Sequence, residues 1–129
     1  DKLVTGVQSV LFRSAALGTR RVYNLATITP YHNVNHRCVV TRLAPGFFSV
    51  SDFFSGYYDI RAKYGSNYAM TGFVALNPDN TISLISSSIK GWGDSLDALR
   101  NGVYDPLTGT IYWEADYAGI MTFYVTLTK

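Results

Sequence analysis

The sequence predicts an all-β fold, an antiparallel meander forming a small barrel or sandwich, and three observations carry that prediction. The last 20 residues hold two alternating runs around a short turn: Ile111, Trp113, Ala115 and Tyr117 on one face, then Met121, Phe123, Val125 and Leu127 on one face, with Ala118-Gly119 between. A period of two is what a half-buried strand requires. Turn signals recur at close spacing along the chain, and aromatic residues make up 15% of it, a load that favours strands. Few stretches have helical period, so the architecture reads as β throughout except for one short connecting helix near residues 94–101.

Taken in order, Thr5 to Phe12 and Val22 to Ile28 read as the first strands, and Thr29-Pro30 ends the second. The polar run His32-Asn33-Val34-Asn35-His36 reads as a loop leading into a strand from Arg37 to Leu43. After the turn Ala44-Pro45-Gly46 comes a short strand, Phe47 to Val50. Ser51 to Gly56 suits one helical turn, capped by Ser51 or Asp52 and stopped by the glycine. Tyr58, Ile60, Ala62 and Tyr64 alternate with Tyr57, Asp59, Arg61 and Lys63, which predicts a strand with one wet face. Met70 to Leu76 and Thr81 to Ser86 form a hairpin around Asn77-Pro78-Asp79-Asn80, where proline suits the second position of a type I turn. Asp94 to Asn101 has the one helix-like pattern, with Asp94 or Ser95 as N-cap, Leu96 and Leu99 inward and Gly102 past its end.

Composition narrows the class. A length of 129 residues with 47% apolar content suits one β-rich domain over 1–129, of which 1–46 is the least legible part, a linker plus first strands. The net charge of +2 is spread thinly, with no basic block longer than Arg20-Arg21, which argues against a nucleic-acid partner. No apolar run reaches the length of a transmembrane helix. The chain starts at Asp1 without an initiator Met, which reads as a fragment with a segment removed upstream. Cys38 is the only cysteine, in the strand-like run Arg37-Cys38-Val39-Val40, and is expected to be buried and inert.

No residue set specifies a reaction. His32 and His36 have a spacing that binds metal on a helix, but their surroundings favour loop or strand, so no metal site and no cofactor are expected. The turn at Asp79-Asn80 lacks the spaced oxygen ligands of a calcium loop. Glu114 and Asp116 share a polar strand face, the pairing a glycosidase uses, although a general acid also needs desolvation. Gly91-Trp92-Gly93-Asp94-Ser95 is the best candidate for a functional loop. An exposed indole at Trp92 would stack on a sugar ring, with Asp94 and Lys90 to bond hydroxyls, while the competing role for Trp92 is a plug in the end of the barrel. Tyr57, Tyr112 and Tyr124, on the polar sides of their strands, are a second candidate platform.

Four motifs in order, Val50-Ser51-Asp52-Phe53-Phe54-Ser55-Gly56-Tyr57-Tyr58, Tyr68-Ala69-Met70-Thr71-Gly72, Gly91-Trp92-Gly93-Asp94-Ser95 and Tyr104-Asp105-Pro106-Leu107-Thr108-Gly109-Thr110-Ile111, resemble a known module. It is the C-terminal β-rich domain of unknown function in Bacteroides-type cell-surface lipoproteins, and the resemblance runs from about Phe47 to Lys129. It implies export to the extracellular face of the outer membrane, a lipid anchor on an upstream cysteine and association with polysaccharide utilisation. Cys38 lies too deep in the chain to be that anchor.

The function expected is therefore a non-enzymatic cell-surface domain that binds extracellular oligo- or polysaccharide or supports a glycan-uptake assembly. A structural or assembly module with a surface-protein partner is the alternative, and a small glycoside hydrolase the third reading.

Overall fold

The computed structural model describes residues 9–14, 22–24, 28–29 and 37–128, with the first three segments and Arg37 as backbone. The strands are β1 (Ser9–Ser14), β2 (Val22–Asn24), β3 (Ile28–Thr29), β4 (Arg37–Ala44), β5 (Phe47–Val50), β6 (Met70–Leu76), β7 (Thr81–Ile89), β8 (Ala98–Asp105), β9 (Thr110–Tyr117) and β10 (Met121–Thr128). β4 to β10 are seven consecutive antiparallel strands in a curled half-barrel sheet. β1 lies between the two ends of that curl, pairing Phe12 with Cys38 on β4 and Arg13 with Thr128 on β10. β2 and β3 continue from the other part of the β10 edge. The meander expected from the hairpins is present, and the strand pairings run round it as in a barrel.

The terminal hairpin falls where its alternation places it. Ile111, Trp113, Ala115 and Tyr117 are buried, as are Phe123, Val125 and Leu127, while their neighbours on the other face are only partly covered. The hairpin expected from Met70 is present, its first strand ending at Leu76 as read and its second running past Ser86 to Ile89, with the turn closed by Asp79 Oδ1, which accepts from the Thr81 N–H at 3.0 Å and its hydroxyl at 2.6 Å. Cys38 is fully buried, and burial pushes its thiol up to about 12.

Two elements differ from expectation. The helix expected over Asp94 to Asn101 is absent: Asp94 bridges to Ile89, and Ala98–Asp105 is β8, paired with β9 through Ala98↔Asp116 and Arg100↔Glu114. Two turns of helix are marginal on propensity alone, and the open edge of β9 offers a full ladder of backbone hydrogen bonds instead. Gly102 accordingly is no helix stop. A Cβ there would meet the Ile82 carbonyl oxygen at 2.8 Å, so its bare Cα is what lets β7 and β8 approach.

The strand expected at Tyr57 to Tyr64 is also absent. Ser55 and Gly56, at φ 49° and 84°, reverse the chain, and Tyr57–Arg61 winds into a π-helical turn, with a 3-10 turn at Ser66–Tyr68. A strand would send Tyr57 and Tyr58 to opposite faces. Winding instead brings both rings against Phe123, at centroid distances of 5.1 and 5.9 Å. Tertiary burial of two aromatic rings outweighs local alternation here.

One end of the barrel collects the β5–β6, β7–β8 and β9–β10 connections. Phe53 and Phe54 drop into that end from the turn after β5, both buried; Phe54 lies 4.2 Å from Phe123 and Phe53 5.3 Å from Trp113 between ring centroids. The Trp113 indole N–H donates to the Phe53 carbonyl at 3.0 Å, so the ring is held as well as buried. The turn itself is tied by Asp52, one of the two residues expected to cap a helical turn there, although residues 51–56 make hydrogen-bonded turns and no helix, and Gly56 leads into the π-helical turn without a side-chain cap. Asp52 Oδ1 accepts from the Phe54 and Met70 N–H groups at 2.9 and 3.1 Å, and Oδ2 from Gly56 at 2.9 Å.

Candidate functional site

The β7–β8 connection begins at Lys90 and is closed at its base, where Ile89 N–H donates to the Asp94 carbonyl and Gly93 N–H to the Ile89 carbonyl. Gly91 N–H donates to the Asn67 carbonyl at 2.7 Å, joining this loop to the segment before β6. The Tyr68 ring lies directly over Gly91, so that a Cβ at 91 would collide with it. The Gly-Trp-Gly sequence thus has two tasks: the first glycine admits Tyr68, and the second, at φ 75°, turns the chain back.

Trp92 projects from this loop and remains 46% exposed. Its ring meets Tyr68 at 4.8 Å and 73°, Tyr58 at 4.9 Å and 87°, and Tyr64 at 5.9 Å and 89°. Tyr64, Tyr68 and Trp92 line an open concavity of about 410 Å³. Tyr64 is 53% exposed, so two rings of the three offer broad solvent-facing surface. Behind them, burial pushes the Tyr58 hydroxyl up to about 12. Tyr117 donates its O–H to Asp94 Oδ1 at 2.7 Å, and burial followed by that bond raises it too. Both tyrosines therefore keep their protons at physiological pH. The barrel end is plugged by Phe53 and Phe54, and Trp92 sits outside them.

The six residues singled out from sequence part company in the structure. Trp92 is in the concavity. Asp94 is at its base, engaged with Tyr117, and Lys90 is exposed on the same loop; neither lines the concavity. Tyr57 turns inward onto Phe123 and Tyr58. Tyr112 and Tyr124 lie on the outer face of β9 and β10, and Tyr112 donates to Glu114 Oε2 at 2.7 Å. Tyr57, Tyr112 and Tyr124 thus form no common platform, because only two of them belong to strands and those two face away from the core. The residues that complete the aromatic group, Tyr64 and Tyr68, come from the π-helical and 3-10 region, and nothing in sequence spacing ties them to Trp92. The Tyr-Ala-Met-Thr-Gly motif was the one available signal for Tyr68.

Glu114 and Asp116 do share a face, but Arg100 occupies both. Its Nη1 lies 3.0 Å from Glu114 Oε1, and its Nε and Nη2 reach the two Asp116 oxygens at 2.5 and 2.8 Å. The Arg100 bonds hold the Asp116 carboxyl below the usual range, the reverse of what a general acid needs. Among the described residues no group of histidine, cysteine and carboxylate side chains could hold a metal ion; His32 and His36 lie outside them. No described helix is long and apolar enough to cross a membrane.

A curled antiparallel sheet closed by an N-terminal strand, with its end plugged from the β5–β6 turn, defines a β-rich module, and a family model for a C-terminal domain matches it over residues 9–129. The chain belongs to that family, the C-terminal domains of Bacteroides-type lipoproteins. It is similar in particular to the crystal structure of the lipoprotein BT2262 from Bacteroides thetaiotaomicron, with 36% sequence identity and a TM-score of 0.85. That match covers 95% of this chain and 59% of the other, so this chain spans little more than half the length of its relative. A search of curated protein sequences returns no match. The similarity supports a cell-surface lipoprotein domain.

Proposed function

We propose that this domain is a non-enzymatic binding module displayed at the extracellular face of the outer membrane, carried there by a lipid anchor upstream, and that it binds glycan. The observation that carries the reading is the half-exposed Trp92 set among Tyr58, Tyr64 and Tyr68 beside an open concavity. Aromatic faces left in water at a fixed position suit sugar rings, whose C–H faces are apolar and whose rims are polar. Likeness to a lipoprotein supports the surface location. Native affinity gels cast with soluble polysaccharides test it. Migration is expected to slow in at least one glycan, and Trp92→Ala, with an unchanged far-ultraviolet spectrum, is expected to abolish the shift; a broad panel with no retardation would sink the reading.

A second reading, an assembly module, draws on a different surface. Phe47 and Phe73 stack at 5.7 Å and 20° on the outer face of β5 and β6, and Phe73 remains 39% exposed. Under that reading Trp92→Ala leaves function intact, and Phe73→Ser disrupts association with a surface protein.

A further inference from the structure

We infer that the aromatic site takes a single neutral sugar residue, at a chain terminus or a branch, and does not grip the middle of a polysaccharide chain; the inference rests on the glycan-binding reading. The reason is the mutual orientation of the rings. A surface that follows an extended glycan has to present aromatic planes side by side, one for each successive sugar. Here the three lining rings stand nearly perpendicular to one another. Trp92 meets Tyr64 at 89° and Tyr68 at 73°, and Tyr64 meets Tyr68 at 71°. Three such planes make a corner. One compact ring lodges in a corner with a face on one wall and its edges against the others, whereas the next residue of a chain must leave along the open side.

Among the described residues no other aromatic platform continues the line. Tyr58 is stacked behind Tyr64 at 6.0 Å and 13°, and its hydroxyl is directed to Met121 Sδ at 3.5 Å. Tyr112 and Tyr124 are on the outer sheet face, next to Arg100 and Glu114. The concavity, about 410 Å³, lies at the small end of the range for small-molecule sites and is lined, among the described residues, by Tyr64, Tyr68 and Trp92.

Charge points to the neutral class. The three lining side chains are one indole and two phenols, none of them a cationic group, so among the described residues the lining offers nothing to pair with a uronate, sulfate or phosphate. The Asp94 carboxylate, at the base of the loop, already accepts from Tyr117. The polar contacts left to a ligand are the tyrosine hydroxyls, which donate and accept and so match sugar hydroxyls.

Titration calorimetry with cello-, malto-, xylo- and manno-oligosaccharides of one to six residues, and with oligogalacturonides as the acidic series, tests this. For the series that binds, the molar affinity is expected to level off by the disaccharide, staying within about two-fold up to the hexasaccharide. Tyr64→Ala, which removes the most exposed wall, is expected to weaken every member of that series by the same factor. Affinity that climbs more than ten-fold from the trisaccharide to the hexasaccharide, or a preference for the oligogalacturonides, overturns the inference and leaves glycan binding standing. Failure of every series, together with unretarded affinity gels, overturns the glycan reading itself.

Discussion

Removing the Asp52 side chain tests how the plugged end of the barrel is held. Its carboxylate is buried and accepts three backbone N–H groups, from Phe54, Gly56 and Met70. In Asp52→Ala those donors lose their partner inside the protein, at about 2 kcal/mol each, or about 6 kcal/mol together. Against that stands relief of a buried anion. Burial pushes the Asp52 carboxyl up to about 6, roughly two pH units above its ordinary value, which at about 1.4 kcal/mol per unit is worth about 3 kcal/mol. The expected net loss near neutrality is therefore about 3 kcal/mol, a large part of the 5–15 kcal/mol typical of a domain. Its pH dependence has a definite sign. Because the folded-state value is the higher one, folded protein takes up the proton first on acidification, and Asp52 contributes stability that is lost as pH rises through about 6. The gap between wild type and Asp52→Ala should widen by about 1 kcal/mol from pH 7.5 to pH 5. Urea melts at both pH values, read by near-ultraviolet dichroism of the buried Trp113, measure it. A loss below about 1 kcal/mol at pH 7.5, or a gap that narrows on acidification, refutes the reasoning.

Three further outcomes follow from single positions. Gly91→Ala places a methyl group in the Tyr68 ring and should displace it from Trp92, costing about 1–3 kcal/mol and changing the near-ultraviolet spectrum while strand content is kept. Ala118 sits at φ 58° in the β9–β10 turn, so Ala118→Gly is expected to raise stability by about 0.5–1 kcal/mol in urea melts, the release of left-handed strain exceeding the added chain entropy. Cys38, fully buried and with its thiol pushed up to about 12, should react with a thiol-specific disulfide reagent at pH 8 only as fast as the protein opens, and fully in urea.

Alternation along the chain placed β9 and β10 to the residue, because period two is a local property and a one-residue slip would expose every core side chain, and the turns at 44–46 and 77–80 bounded β5 and β6. The Trp92 loop was legible for a similar reason: two glycines around a large aromatic announce a constrained turn. Local pattern failed at Tyr57–Tyr64 and Asp94–Asn101, where competing conformations are close in energy and the decision lay with distant partners. Phe123 draws in Tyr57 and Tyr58, and the edge of β9 takes up residues 98–105. The candidate site divides along the same line. Sequence by itself determined a β-rich chain with Trp92 in a tight loop. Only the tertiary structure decided which rings stand beside that indole, because Tyr64 and Tyr68 reach it through a π-helical reversal and a glycine with no side chain, a juxtaposition written in no spacing along the chain.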